Sequence, residues 1–408
     1  MTRYRWVALG LGITAQAAFA ALLTGLPALG PALSEEFGLS LSGFGLVLGS
    51  ITAGATVSLI PWGLIADRLG ERVALAVGLA GSGLALAASA AGGPVILAAA
   101  LLVAGMLGSV ANVASGRVVM GWFEFEQRGV AFGLRQAAVP LGGATAAFTL
   151  PALAARIDPR AGLLALAAGS LAASVACATW LRPASGGAFP SVGARATLRD
   201  RRIYRLATAS GALVLAQVCV IGFVALFLAR ERGMSAVAAG SVLAIIQVLG
   251  MIGRVVTGRW SDRRGARIAP LRILAAAIAI AWLATPLAFG VPLPVLIPIL
   301  VASGALSFSW NGLAFAAVAE LAEPGRSGTA IAIQQTALFG TAALVSPLFG
   351  ALVEATSWPL AFAVTALGPA AAWSALWPGP SGGLRGPAWI EGERPSKYAS
   401  KGPSPRVR

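Results

Sequence analysis

Residues 63–72 read GLIADRLGER, and residues 258–267 read GRWSDRRGAR. Both stretches fit the pattern Gly-x-x-x-Asp-Arg-x-Gly-x-Arg, and the second follows the first by 195 residues. A further pair of similar segments, RGVAFGLRQ at 128–136 and SGTAIAIQQ at 327–335, is 199 residues apart. Two matched pairs at nearly one spacing indicate that the chain consists of two related halves in parallel order.

The chain around these segments is strongly apolar. Hydrophobic residues make up 57% of its 408 residues and charged residues 11%, and the mean hydropathy is +0.82. Soluble domains contain roughly 25% charged residues. This composition excludes a soluble globular protein, a disordered chain and a collagen-like chain. A polytopic membrane protein is the class that remains.

Apolar runs long enough to cross a bilayer, which takes about 20 residues, occur twelve times. We predict spans over residues 6–29, 43–62, 73–91, 94–119, 129–154, 161–181, 203–229, 235–257, 269–289, 292–318, 328–353 and 358–377. The first run follows Arg3 and Arg5, as a signal peptide would, but it is too long for a cleaved signal.

The positive charges predict the orientation in the membrane. With the N-terminus inside, the outer loops contain only the arginines Arg156, Arg160, Arg230 and Arg232, although the net charge is +15. Cytoplasmic loops of membrane proteins are enriched in Lys and Arg. We therefore expect a multi-pass protein of the cell membrane with both termini in the cytoplasm. Anionic lipid headgroups on the inner face are the expected partners of this charge, and nucleic acid is not.

The polar segments divide the chain into four parts. Residues 182–202 form a polar linker in mid-chain, and residues 378–408 are rich in Pro, Gly and basic residues without apolar periodicity. We predict an N-terminal six-helix bundle over 1–181, a cytoplasmic linker over 182–202, a C-terminal six-helix bundle over 203–377 and a disordered cytoplasmic tail over 378–408.

The two signature loops come directly after the second span of each half. In this place, with these ten-residue patterns, the chain resembles the major facilitator superfamily (MFS) over residues 1–377. The resemblance implies an all-α membrane protein with twelve transmembrane helices in two pseudo-symmetric six-helix bundles. It also implies a transporter that moves a small solute by alternating access and that needs no partner subunit.

The resemblance gives the signature loops a role in gating. The residues concerned are Gly63, Asp67, Arg68, Gly70, Arg72, Gly258, Asp262, Arg263, Gly265 and Arg267. Asp67 would meet the start of helix 11 near Gly328, and Asp262 would meet the start of helix 5 near Gly129. Candidate partners of the arginines are Glu124, Glu126, Glu320 and Glu323. The alternative is that Asp67 and Asp262 only cap short loops.

Polar residues inside the predicted spans are few, and they are the candidates for a substrate cavity. They are Gln16, Asn112, Arg135, Gln136, Gln217, Gln247, Asn311 and Gln335. Arg135 lies about 9 Å into the fifth span, where a charge is costly unless it faces a cavity or a partner. The alternative is a structural hydrogen bond to Asn112 or to a carboxylate on the inner side. Arg117 and Arg254 lie nearer the predicted span ends, so we expect them to snorkel or to pack at the gate.

The chain lacks the residues that several kinds of chemistry require. The chain has no histidine, two separate cysteines, no nucleotide-binding loop, and no Asp or Glu in the interior of a predicted span. We therefore expect no enzyme, no metal, no cofactor and no carboxylate proton relay. Arg135 favours a small organic anion, such as a carboxylate, as the substrate. Efflux of amphipathic compounds is the first alternative, and a non-transporting membrane sensor or scaffold is the second.

Overall fold

The structure is a computed structural model that describes residues 3–123, 125–182, 200–321 and 327–377. The predicted linker, apart from its last residues, and the predicted tail lie outside the described residues. Helices account for nearly all of the described ranges, and no strand occurs in them. Eleven helices are long and apolar enough to cross a membrane.

The first half contributes six helices in the predicted order. They are α1 (Tyr4–Glu36), α2 (Leu41–Ala66), α3 (Arg68–Ser89), α4 (Pro94–Trp122), α5 (Phe125–Arg156) and α6 (Pro159–Trp180). Near the start of α3 the chain turns at Gly70, whose φ is 78° and ψ 160°. Only glycine adopts this backbone region without strain, because a Cβ atom would clash with the chain.

The second half contributes six further helices. They are α7 (Arg201–Arg230), α8 (Ala236–Arg264), α9 (Ile268–Ala288), α10 (Leu293–Phe308 with Asn311–Leu321), α11 (Ser327–Ala355) and α12 (Trp358–Val364 with Leu367–Ala375). Because α12 is divided by a short break, neither of its two pieces is long enough to span a membrane alone. The predicted twelve-helix fold is therefore confirmed, with eleven helices of span length and a twelfth that is divided into two short pieces.

Three helices are irregular where they approach the centre. α1 changes to a π-helical turn over Ala21–Gly25 and a 3₁₀ turn over Leu26–Leu29. Pro27 accounts for the change, because its ring nitrogen cannot donate the regular helical hydrogen bond. α4 is interrupted at Ser109, and α10 is interrupted at Ser309. These two breaks lie 200 residues apart and so occupy matching places in the two halves.

The halves meet closely at one end of the molecule. We call the end that carries Tyr4, Trp180 and Trp377 the terminal end, and the opposite end the distal end. At the distal end the start of α2 lies against the end of α11, where a Cβ atom on Gly45 would come within 2.3 Å of the Ser346 carbonyl oxygen. Glycine is therefore what permits this close approach between the halves.

Hydrogen bonds add to the closure of the distal end. The backbone N–H of Ser42 donates to Glu354 Oε1 at 2.9 Å, and Arg230 donates to the Leu39 carbonyl oxygen at 3.3 Å. Each bond joins the first half to the second half. The Ser42 N–H is at the N-terminus of α2, where the helix dipole favours a negative charge such as that of Glu354.

Candidate functional site

A central cavity of about 150 Å³ lies between the two halves, on the terminal side of their distal contact. It is lined by residues of both halves, so it belongs to neither alone. Six of the eight predicted cavity residues line it, and these are Gln16, Asn112, Gln136, Gln217, Asn311 and Gln335. Arg135 and Gln247, which we expected on the wall, are absent from the described lining.

Two amide pairs repeat around this cavity. Gln16 Nε2 of α1 donates to Asn112 Oδ1 of α4 at 2.7 Å. Asn311 Nδ2 of α10 donates to Gln217 Oε1 of α7, also at 2.7 Å. Each pair therefore joins the first and fourth helices of its own half. Gln217 lies 201 residues after Gln16, and Asn311 lies 199 residues after Asn112, so the pairs match in the two halves.

The break in α10 is stabilised by side chains from α8. Arg254 Nε donates to the Phe308 carbonyl oxygen at 3.0 Å, and Thr257 Oγ1 donates to the Ser309 carbonyl oxygen at 2.7 Å. An interrupted helix leaves carbonyl groups without their regular intrahelical donors. The hydrogen bond to Phe308 fixes the position of the Arg254 guanidinium at the cavity wall.

Arg254 is the one charged side chain among the described residues that line the cavity. It is half-buried, and no described carboxylate forms an ion pair with it. We expected Arg254 to snorkel or to pack at the gate near the end of its span, but α8 continues to Arg264 instead of ending near residue 257. Arg254 therefore lies ten residues inside its helix, or about 15 Å from the end.

Arg135 lies behind the cavity wall, between α4 and α5. Its guanidinium donates to Ser115 Oγ at 3.0 Å, to the Asn112 carbonyl oxygen at 2.8 Å and to Gln136 Oε1 at 2.8 Å. The side chain is 8% exposed. These contacts match the structural alternative that the sequence left open, and they hold the amide of Gln136 at the cavity wall.

At the matching place in the second half, Gln334 is fully buried and donates to Ser210 Oγ at 2.8 Å. Gln334 lies 199 residues after Arg135. Both positions thus hold a side chain that bonds between helices of one half, which further supports a structural reading of Arg135.

Gln247 lies behind the lining of the cavity, in a contact between the two halves that we call the cavity roof. Its Nε2 atom donates to the Thr24 carbonyl oxygen at 3.2 Å, and its side chain is fully buried. Thr24 belongs to the π-helical turn of α1, so this bond joins the two halves. Gln247 is buried because this contact with α1 covers it.

The signature glycines divide into two kinds. Gly70 and Gly265 both have positive φ, at 78° and 60°, as the predicted tight turns require. A Cβ atom on Gly63 or Gly258 would meet no atom within 4 Å.

The second signature loop is held within its own half. Arg267 binds both carboxylate oxygens of Glu320 at 3.0 to 3.2 Å, and its Nη1 lies 2.5 Å from Asp262 Oδ1. Burial lowers the pKa of the Arg267 guanidinium, but the hydrogen bonds to Glu320 and Asp262 outweigh burial and raise the pKa above its ordinary value. The partnership of Arg267 with Glu320 is as the sequence suggested.

The first signature loop differs in its contacts. Arg72 donates from Nε and Nη2 to the Ala178 carbonyl oxygen at the end of α6, at 2.9 and 2.6 Å. Arg68 and Arg263, one in each loop, are exposed. The predicted partners Glu124 and Glu323, and the side chains of Asp67 and Glu126, lie outside the described part of the structure.

The sequence model of the Major Facilitator Superfamily matches residues 9–345, most of the chain and both repeated loops. The chain belongs to the major facilitator superfamily. It is therefore a multi-pass membrane protein of a transporter family, and it is not an enzyme. The signature loops and the central cavity described above are those of an MFS protein in which the halves contact each other at the distal end.

Known proteins agree with this assignment. An uncharacterised MFS-type transporter of Mycobacterium tuberculosis is 34% identical over 377 residues, which cover 90% of this chain and 84% of that protein. A bacterial homologue of the human lysosomal transporter Spinster, solved in an inward-facing and occupied conformation, has a TM-score of 0.75 at 15% identity. The alignment covers 91% of this chain and 95% of that structure.

A D-xylose–proton symporter is also similar in structure, with a TM-score of 0.73 at 17% identity. The alignment covers 91% of this chain and 96% of the symporter. At such low identity these two structures establish the fold and leave the substrate open.

Proposed function

We propose that this MFS protein carries a small organic anion, such as a carboxylate, through the central cavity. The observation that carries the proposal is Arg254, a guanidinium anchored at the cavity wall without a described carboxylate partner. An arginine well inside a span costs about 2.5–3.5 kcal/mol on insertion scales, so such residues usually face a cavity or a partner. An anionic substrate supplies that partner through charge-assisted hydrogen bonds.

The amides complete the proposed site. Asn112 Nδ2 is a buried donor with no hydrogen-bond partner among the described residues, and Asn112 lines the same cavity as Arg254. A buried donor left without a partner costs about 1–3 kcal/mol. A carboxylate between α4 and α8 would satisfy this donor together with the guanidinium. Gln136, Gln217 and Gln335 are further proposed contacts.

Arg135 supports the site from behind rather than as a direct ligand of the substrate. Its three recorded hydrogen bonds occupy the guanidinium with Ser115, Asn112 and Gln136. The sequence analysis favoured an anionic substrate because of Arg135. In this proposal the residue that binds the anion is Arg254 instead. Arg135 acts by positioning Gln136 and the backbone of α4.

The proposed orientation follows from the positive charges, which collect at the terminal end. If this end is cytoplasmic, the closed distal end faces outside, and the conformation is inward-facing. The proposed bundles over 1–181 and 203–377 then rock about the cavity, and the linker over 182–202 joins them on the inner side. A single chain is sufficient for this cycle, so we propose a monomer in the cell membrane whose basic inner face contacts anionic headgroups.

Opening of the distal end and closing of the terminal end would complete the cycle. The signature loops at the terminal end are the proposed gate for the second step. In the present conformation Asp262 is paired with Arg267 of its own loop, which leaves the two halves unlinked by this pair. Asp67 remains the proposed acid for the link to the start of α11.

Coupling to protons through a carboxylate has no carrier among the described residues of the cavity wall. Uniport or exchange is therefore the proposed mode. The test is counterflow in proteoliposomes without any imposed gradient, with labelled acetate, lactate, succinate and benzoate. Uptake of at least one anion by the wild type, and its loss in Arg254→Gln, are expected. Uptake that needs a pH gradient, or equal uptake by the variant, contradicts the proposal.

A further inference from the structure

We infer that the transported anion is an amphipathic monoanion, whose charged group binds at Arg254 and whose apolar body fills the distal part of the cavity. This inference rests on the proposed function, because it concerns the same cavity. It adds the number of charges on the substrate, the presence of an apolar body and the direction in which the body points.

Three polar residues of the wall form a layer at one depth. Arg254, Asn112 and Asn311 each lie ten residues from the terminal end of their helices. At 1.5 Å per residue this is about 15 Å from that end. Phe19 and Leu23 of α1 lie 15 and 19 residues from its start, or about 22 and 28 Å deep. The wall beyond the polar layer therefore extends roughly another 10 Å toward the distal end.

That distal part of the wall is mostly apolar, and its one amide, Gln217, accepts a hydrogen bond from Asn311. The residues that line it include Phe19, Leu23, Leu48, Val218, Ile221 and Phe339. They come from α1, α2, α7 and α11, so both halves contribute to this surface. On the terminal side of the polar layer, by contrast, Phe315 is the apolar residue that lines the cavity.

The hydroxyl groups in the distal part are already used within their own helices. Thr24 Oγ1 donates to the Ala20 carbonyl oxygen at 2.9 Å, and Thr52 Oγ1 donates to the Gly49 carbonyl oxygen at 3.0 Å. Ser346 Oγ makes the same kind of bond, to Ala342 at 3.1 Å. Side chains of this kind need no polar partner from a ligand. An apolar group can therefore occupy this region without leaving a donor unsatisfied.

The charge of the wall limits the charge of the ligand. Arg254 is the one charged side chain in the described lining, so a second carboxylate would be buried against Phe, Leu and Val without a cation. Burying an unpaired charge is strongly unfavourable. A neutral amphipathic compound would leave Arg254 and the Asn112 Nδ2 donor unpaired. A single negative charge with an apolar body satisfies both parts of the cavity.

Four small probes separate the possible outcomes. Purified protein in nanodiscs is titrated with acetate, succinate, phenylacetate and phenylacetamide, and apparent affinity is taken from the ligand-dependent rise in unfolding temperature. We expect phenylacetate to bind at least about tenfold more tightly than acetate, because its ring is removed from water. Phenylacetate should also exceed succinate and phenylacetamide by about tenfold.

A variant of the wall tests where the ring binds. Val218→Thr keeps the side-chain shape and adds a hydroxyl, so the ratio of phenylacetate to acetate affinity should fall about threefold. The matched control is Val175→Thr, since Val175 is 61% exposed on the outer surface of α6. That variant should keep the wild-type ratio.

The outcomes distinguish this inference from the proposed function. If succinate or acetate binds with the same affinity as phenylacetate, the apolar body is contradicted and the anion site remains supported. If phenylacetamide binds with the same affinity as phenylacetate, the anion site is contradicted and the apolar body remains supported. The absence of any shift with millimolar phenylacetate, or an unchanged ratio in Val218→Thr, also overturns the inference.

Discussion

Gln247 of α8 donates a hydrogen bond across the two halves to the carbonyl oxygen of Thr24 in α1, over 3.2 Å. The carbonyl is accessible because Thr24 lies in the π-helical turn Ala21–Gly25, where the regular bonding of α1 changes. Thr24 also lines the central cavity. The roof and the wall therefore share one residue, so a ligand that shifts this turn also acts on the contact between the halves.

The distal closure depends on Glu354, and its removal should favour distal opening. Glu354→Ala loses a charge-assisted hydrogen bond to the Ser42 N–H, worth about 1.5–3 kcal/mol. The measurement is labelling of Ser346→Cys, in the distal cavity wall, by a membrane-impermeant maleimide. We expect a labelling rate at least several-fold above that of the Ser346→Cys protein with Glu354 intact.

The matched control for the distal closure is Glu36→Ala. Glu36 also lies at the distal end, but it pairs with Arg160 of its own half at 3.0 Å. This variant should label at the background rate. The native Cys177 and Cys219 are both buried, so they contribute little signal. Equal labelling of the two acid variants would contradict the role of Glu354.

Arg254 should determine substrate affinity. Arg254→Gln is expected to weaken binding of the transported anion by about 1.5–3 kcal/mol, the contribution of a hydrogen bond that involves a charged group. Arg254→Lys should recover part of this loss, because lysine keeps the charge but not the planar fork of donors. Affinity is measured by thermal-shift titration. Arg272→Gln is the control, since Arg272 stacks on Trp377 outside the cavity, and an equal loss in that variant would contradict a specific role.

Arg135 should affect stability more than Arg254 does. Arg135→Met removes bonds to Ser115 and to the Asn112 carbonyl oxygen inside the first half, so we expect a loss of about 1–3 kcal/mol in unfolding free energy. Thermal unfolding of the purified protein, compared with Arg254→Met, measures this difference. If the Arg135→Met protein were fully stable but no longer bound the ligand, Arg135 would be a substrate-binding residue and not a structural one.

The amide pairs should couple energetically within each half. A double-mutant cycle with Gln16→Leu and Asn112→Leu is expected to give a coupling of about 0.6 kcal/mol, and at most about 1.7, the range found for hydrogen bonds between transmembrane helices. Chemical unfolding in mixed micelles provides the free energies. A cycle between Gln16 and Asn311, which belong to different pairs, should give no coupling. Similar coupling energies in both cycles would mean that the hydrogen bonds within the pairs are not the source of the coupling.

Gly70 should resist substitution more than Gly63. Gly70→Ala places a Cβ atom on a backbone with φ 78° and ψ 160°, at a cost of about 1–3 kcal/mol. Gly63→Ala should be nearly neutral, because nothing lies within 4 Å of the added carbon. Yield and unfolding temperature of the two variants are the measurements. If Gly63→Ala proved stable yet inactive, close helix approach at Gly63 would belong to another state of the cycle.

The sequence predicts the helices of this protein well, because a bilayer requires long apolar runs that contain few charges. Predicted and observed ends of α7, 203–229 against Arg201–Arg230, differ by two residues or fewer. The end of α8 was predicted seven residues too early, because the signature loop begins as a continuation of that helix. This error is what made Arg254 resemble a snorkelling residue.

The sequence predicts the depth of a polar residue better than the direction in which it points. Arg135 and Gln136 are neighbours at one depth, yet Gln136 lines the cavity and Arg135 packs between helices. Successive residues of an α-helix differ by about 100° around the axis. A helix that is apolar on nearly all sides gives no amphipathic pattern from which to read that angle.

The repeated amide pairs have an evolutionary consequence. Two identical copies of an ancestral six-helix unit would already contain both Gln–Asn pairs, and hence a symmetric frame suited to neutral polar solutes. Arg254 has Leu59 as its counterpart in the first half, so the charge exists in one copy only. Under the proposed function, a single substitution after duplication would be enough to convert a neutral carrier into an anion carrier, while the ancestral frame stays intact.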